Sequence, residues 1–170
     1  MDLIDTFNNP KWKKNSSVLE VSCYKGFTTN ILSHLFKKVF AVDIKFVDDA
    51  KQFNGDRKNI EYFEGDVYRE EKWEGLPQAD VIFIDCVHTY ESVKSDLEES
   101  LKHIKNDGFI ILDDYGLLTD VKKAVKEFIN KNGQITFAKF LGESKGSDCR
   151  VGKILLDEEG IMLKYRKGEK

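Results

Sequence analysis

Short apolar runs alternate along the chain with segments in which apolar residues recur every three or four positions. The runs at 17–22, 38–43, 59–64, 80–85, 108–113, 135–140 and 151–157 have the length of strands, and the periodic segments near 27–37, 46–54, 90–105 and 119–131 predict helices. The clearest helix is 90–105, where Val93, Leu97, Leu101 and Ile104 share a face and charges lie between them. Val121, Val125, Phe128 and Ile129 repeat the pattern in 119–131, and Asn132 with Gly133 supplies its stop. Strand–helix alternation of this kind predicts a parallel sheet with right-handed crossovers. The last two strands differ. The stretch 141–150 between them is polar and has no helical period, so they are expected to form an antiparallel hairpin at the sheet edge. The pattern therefore predicts an α/β three-layer sandwich whose seven-stranded, mostly parallel sheet ends in an antiparallel hairpin. One domain is expected over 16–170, preceded by an extension or flap over 1–15.

A chain of 170 residues suffices for one domain with a substantial core and is too short for two ordinary ones. The hydrophobic share of 41% and charged share of 34% suit a soluble globular protein, and a net charge of −3 provides no basic field to attract nucleic acid. The basic clusters Lys11 to Lys14 and Lys164 to Lys170 read as solvated surface. No apolar run is long enough to span a membrane, and the acidic start at Asp2 and Asp5 lacks the basic-then-apolar pattern of a secretion signal. The three cysteines, Cys23, Cys86 and Cys149, are widely spaced and form neither a disulfide framework nor a metal-binding pair. A cytoplasmic setting follows, with Cys23 and Cys86 as small filler after strands, near a ligand.

The chemistry collects at the predicted strand ends. Val18 to Thr29 reads as a strand, a small-residue turn through Ser22 and Gly26, and a helix entered at Thr28, the usual cradle for a nucleotide-like ligand in an α/β sheet. The next strand closes on Asp43, a carboxylate placed to take both hydroxyls of a ribose, unless it only caps the following helix. Glu20, Ser22, Asp43, Asp66 and Asp85 all fall at or near strand ends, where open parallel sheets bind ligands. If the strands ending at Asp85 and at Asp113–Asp114 are neighbours, three carboxylates meet at one rim. Their repulsion is most simply relieved by a hard divalent cation. Asp113 as a turn cap and Asp114 as a lysine partner is the plainer alternative. His88 suits a general base, an extra ligand or a helix cap, whereas His34 and His103 sit on helical patterns as surface or packing residues. The G-x-G-x-x-G turn of nicotinamide enzymes is absent.

The Glu20-to-Thr28 segment and the Asp43 loop resemble motif I and the acidic loop of class I S-adenosylmethionine-dependent methyltransferases. The resemblance continues through Gly65–Asp66, Asp80 to Asp85 and Asp107 to Asp114, and covers roughly 16–157. It implies a Rossmann-like fold ending in an antiparallel hairpin. It also implies a cofactor site in which Glu20, Ser22, Cys23, Tyr24, Gly26 and Thr28 meet the methionyl side. Asp43, with Ile44 beside it, would hold the ribose, and Asp66 with Val67 the adenine edge, Asp66 being otherwise a turn residue. Asp85 would lie near the amino acid end. The segment Ile84 to Leu97 and the Asp113–Asp114 pair resemble the metal-dependent sugar and small-molecule O-methyltransferase branch. There Asp85, Asp113 and Asp114 would hold Mg²⁺ or another divalent cation, with His88 and Asp85 as catalytic residues. The commonest motif I has glycines where this chain has Ser22 and Tyr24. Tyr24 is expected in a backbone conformation open to ordinary residues, with its side chain turned from the cofactor or stacked beside it. The acceptor implied is a small-molecule or glycan hydroxyl, its pocket shaped by Tyr115 and covered by Phe7 and Trp12 unless these dock on the sheet edge. A short, open site also suits a homodimer. A metal-independent methyltransferase using a histidine base and a non-catalytic partner subunit with the same fold stay open.

Overall fold

Ser17–Val21 (β1) is buried along its whole length. A strand flanked on both sides and covered on both faces must be apolar at every position, and β1 departs from that only at Ser17 and Glu20. Its neighbours are Lys38–Asp43 (β2) on one side and Ala79–Ile84 (β4) on the other, both parallel to it. Ile60–Glu64 (β3) extends the sheet beyond β2, and Ile104–Leu112 (β5) extends it beyond β4. This computed structural model describes residues 3–46, 48–69, 73–142, 146–148, 153–155 and 159–168.

The far edge departs from the sequence reading. Ile135–Leu141 (β6) is the edge strand, as expected, but its antiparallel partner is Gly160–Tyr165 (β9), not 151–157. β9 is wedged between β5 and β6 and antiparallel to both, giving the order β3-β2-β1-β4-β5-β9-β6. Within 151–157, Lys153–Leu155 (β8) pairs instead with Gly146–Asp148 (β7) in a separate two-stranded sheet inside the connection. Both segments are short apolar runs, so periodicity does not separate them. Gly160 sits close to its neighbours: a Cβ there would lie 3.0 Å from the Leu112 carbonyl and 3.6 Å from Leu141. Cys149 lies outside the described residues.

Side chains alternate across the sheet. Leu19, Val21, Ile82, Ile84, Ile110 and Leu112 join one core with Tyr90–His103 (α5) and Thr119–Lys131 (α6), through Val93, Leu97, Val121 and Val125. Val18, Val39, Val81, Phe83 and Ile111 face the other layer, where Leu3–Phe7 (α1) and Phe27–Leu35 (α3) contribute Leu3, Phe7, Leu32 and Leu35. Asp48–Phe53 (α4) follows β2. Pro10–Asn15 (α2) starts on Pro10, with Asn9 capping the Lys11 amide at 3.1 Å. Phe7 is buried edge-on against Trp12 (5.0 Å) and beside Phe36 (5.1 Å), so the N-terminal pair of helices docks through an aromatic cluster at the end of α3. Among the described residues, no helix is long and apolar enough to cross a membrane.

Candidate active site

The carboxyl ends of β1, β2, β3 and β4 surround a cavity of about 310 Å³. Ser22 lines it from β1, Asp43 and Ile44 from β2, Asp66, Val67 and Tyr68 from β3, and Cys86 and Val87 from β4. Of the residues assigned to the cofactor from sequence, Ser22, Asp43, Ile44, Asp66 and Val67 therefore line one space. Glu20, Cys23, Tyr24, Gly26, Thr28 and Asp85 are not among the residues that line it. Phe7 and Trp12 do not line it either.

The loop after β1 is tied to β2. The Ser22 and Cys23 amides both donate to the Val42 carbonyl (2.9 and 3.2 Å), and the Tyr24 amide donates to Asp43 Oδ2 at 2.7 Å. Three residues of this loop have left-handed backbones: Ser22 (φ 71°), Tyr24 (φ 44°) and Gly26 (φ 76°). The expectation that Tyr24 sits in an ordinary conformation is thus incorrect. The turn requires positive φ where the commonest motif has glycine, and Tyr24 adopts it regardless. Its side chain is turned outward, 63% exposed, with the Lys25 ammonium over the ring. Gly26 is held more tightly. A Cβ there would stand 2.6 Å from Asn54 Nδ2, and Asn54 is buried, donating to the Gly26 and Ala50 carbonyls while accepting from Asn30.

These differences predict unequal responses. Gly26→Ala adds left-handed strain and a clash with a fixed side chain, and should cost on the order of 2 kcal/mol. In Tyr24→Gly the relief of strain and the added chain entropy nearly cancel, leaving stability within about 0.5 kcal/mol of wild type. Urea unfolding of the two variants checks this; equal losses would contradict it.

Glu20 is 1% exposed, and neither carboxylate oxygen has a hydrogen-bond partner among the described residues. Burial, opposed by the neighbouring Thr29 hydroxyl and reinforced by Asp85 and Asp43, pushes its carboxyl up to about 8. Burial and the nearby Glu20 and Asp43 carboxylates push the Cys23 thiol up to about 12, which removes it as a nucleophile. Asp66 accepts from the Tyr68 amide (3.0 Å) and from Arg69 Nε (3.3 Å), so it closes a turn as well as lining the cavity.

Beyond the cavity rim lies a second constellation. Asp85, His88 and Asp114 each offer a ligand atom within 4.8 Å of the others. His88 Nε2 stands 3.4 Å from Asp85 Oδ1 and 3.4 Å from Asp114 Oδ2. The strand adjacency inferred from sequence is real: β4 and β5 pair in parallel, bringing Asp85 and Asp114 to one rim. Asp113 is not the third member of this group; His88 is. The Oδ1 of Asp113 turns back to accept the Asp114 amide at 3.0 Å, while Asp114, at φ 54°, swings toward His88. Burial first, then Asp85, pushes the Asp113 carboxyl up to about 7. The adjacent Asp85 carboxylate is the main cause that raises the His88 pKa, aided by the charges of Asp114 and Asp113 and opposed by burial.

Tyr90 lies on the α5–α6 seam, donating to Glu127 Oε2 at 2.8 Å. His34 meets Arg57 on the surface, and His103 packs against the buried Trp73. Tyr68 escaped the sequence reading; its only signal was its position two residues after Asp66.

Glu20, Asp113 and His88 share a sign. Each binds a proton in the folded protein at a pH where the unfolded chain, with carboxyls near ~4 and histidine near ~6.5, has released it. His103 acts in the opposite sense, because burial lowers its pKa, but it is one group against three, two of them strongly shifted, so stability should rise as the pH falls from 8 to 6. We expect the ligand-free protein to melt about 5 °C higher at pH 6 than at pH 8. A melting temperature that is flat or higher at pH 8 would contradict these assignments.

Residues 19–115 match the model of a family described as a methyltransferase domain. Among solved structures the chain is similar to an O-methyltransferase from Bacillus cereus in complex with S-adenosylhomocysteine (SAH), at 16% identity over 89% of this chain and 74% of that one, with a TM-score of 0.65. It is similar to the N-methyltransferase NodS from Bradyrhizobium japonicum, also in complex with SAH (15% identity, 91% and 79% covered, TM-score 0.66). An rRNA methylase from Streptococcus thermophilus is alike to the same degree (16% identity, 92% and 90% covered, TM-score 0.65). At these identities the likeness is one of fold. No curated protein matches the chain in sequence.

Proposed function

Because the chain belongs to the methyltransferase-domain family and is an S-adenosylmethionine-dependent methyltransferase, we propose that it methylates the oxygen of a small hydroxyl acceptor such as a sugar, aided by a divalent cation. The observation that carries the oxygen-directed, cation-assisted reading is the convergence of Asp85, His88 and Asp114 beside the cavity. When bound, S-adenosylmethionine supplies a sulfonium methyl group, and a divalent cation lowers the pKa of the acceptor hydroxyl.

The residues present fit both. Asp43 at the end of β2 has a carboxylate in the cavity wall suited to a ribose diol, and Asp66 with Val67 borders the side suited to adenine. The buried Glu20 carboxyl, which holds its proton without a ligand, would ionise beside a cationic amino group near the β1 loop. Asp85, His88 and Asp114 offer two oxygens and one nitrogen to a cation. The imidazole extends the choice from Mg²⁺ toward Mn²⁺. Without a cation, Asp85 and Asp114 favour a proton on His88. Beside Asp114, Tyr115, Phe140 and Phe137 form an aromatic edge with ring centroids 5.8 and 4.7 Å apart, against which the ring of an acceptor could lie.

The reading is tested by incubating the protein with methyl-labelled S-adenosylmethionine and a panel of sugars, phenols and amines, with Mg²⁺, with Mn²⁺ or with EDTA. Labelled ether product that requires the cation supports it. Transfer that is unaffected by EDTA, or that goes only to nitrogen acceptors, would overturn it.

A further inference from the structure

The helix face that α5 turns to the core carries Val93, Asp96, Leu97 and Ser100. Three of these are apolar or small, as burial requires. Asp96 is a carboxylate at 1% exposure, where an apolar residue would cost far less. Its Oδ2 accepts from the Tyr68 hydroxyl at 3.0 Å. The same hydroxyl oxygen accepts from the Val87 amide at 3.1 Å. One oxygen thus joins the loop after β3, the buried face of α5 and the loop between β4 and α5.

Val87 stands between Asp85 and His88. That loop has no regular ladder of its own. It is pinned residue by residue: the Asp85 amide donates to the Val21 carbonyl (3.3 Å), the Cys86 thiol to the same carbonyl (3.2 Å), and the Val87 amide to Tyr68. The Val87 side chain is 50% exposed and adds little packing to hold the loop. The Tyr68 ring also lines the cavity, so the residue touches the proposed cofactor space with its ring and the reacting loop with its hydroxyl.

We propose that Tyr68 is a positioning residue, held in turn by Asp96, whose hydroxyl fixes the Val87 amide and so sets the aim of Asp85 and His88. Asp96 accepts the phenolic hydrogen, which leaves the oxygen lone pair directed at Val87. A phenylalanine at 68 would keep the ring in the cavity wall and lose both bonds. An asparagine at 96 would still offer an oxygen to the hydroxyl. The importance of this aim rests on the reading of Asp85 and His88 as the reacting loop; the clamp itself does not.

The test compares wild type, Tyr68→Phe and Asp96→Asn in three measurements on the full chain: amide hydrogen exchange at Val87 by NMR, the affinity for Mn²⁺, and the affinity for SAH. In Tyr68→Phe we expect Val87 exchange to speed up about tenfold and Mn²⁺ affinity to fall about tenfold, with SAH affinity within about threefold of wild type. Asp96→Asn should stay within about threefold of wild type in all three. Unchanged Val87 exchange in Tyr68→Phe, or equal damage from Asp96→Asn, would overturn the proposal. A wild type that binds no Mn²⁺ counts against the cation reading alone, because Val87 exchange decides the clamp without any ion.

Discussion

Asp43→Ala should weaken SAH binding at least a hundredfold while the protein stays folded. The estimate comes from charge-assisted hydrogen bonds. A carboxylate taking both hydroxyls of a ribose makes two of them, each worth about 1.5–3 kcal/mol, and about 1.4 kcal/mol is a factor of ten. Asp43 lines the cavity at the end of β2 and is half-buried, so truncating it opens no void in the core. It also accepts the Tyr24 amide at 2.7 Å, so part of the loss could come from a loosened loop. Asp43→Asn separates the two effects. Its amide oxygen can still hold Tyr24 but cannot serve both ribose hydroxyls as an anion, so an intermediate loss is expected. SAH affinity unchanged in Asp43→Ala, measured by calorimetry, would remove the ribose assignment.

Asp114→Asn should reduce Mn²⁺ affinity at least a hundredfold and leave SAH affinity intact. Among the described residues the cluster has two carboxylates and a histidine, so the substitution removes half of its formal negative charge. Asp113→Asn should be much milder. Asp113 Oδ1 is committed to the Asp114 amide, a bond that an asparagine oxygen also makes, and burial holds its carboxyl near neutrality already. The ranking of Asp114 over Asp113 distinguishes the observed arrangement from three equivalent aspartates. Calorimetric Mn²⁺ titration of both variants reads it directly; equal losses would return Asp113 to the ligand set.

Much of this was legible because a parallel sheet collects its ligand chemistry at strand ends. Asp43, Asp66 and Asp85 each follow an apolar run, and the chain order of those runs brings Asp43 and Asp66 to one cavity with Asp85 at its rim, while Glu20 lies inside β1. The seventh strand of the sheet was not legible at its correct position. Residues 153–155 and 160–165 are both short apolar segments, and the pairing of the later one with β5 and β6 exists only in space. Backbone handedness was equally hidden. Nothing in the identity of Tyr24 announces a φ of 44°; the turn imposes it. The exchange of Asp113 for His88 depends on which way a two-residue turn directs its side chains. The Tyr68–Asp96 bond joins residues far apart in sequence, and a single buried aspartate on an otherwise apolar helix face was its only trace.

The most direct test of the account is calorimetric titration of the purified protein with SAH, with and without Mg²⁺. The account predicts micromolar binding in both conditions, because the cavity formed by Ser22, Asp43 and Asp66 does not depend on the cation. Absence of binding in both conditions would contradict it and leave the fold as that of a non-catalytic partner subunit.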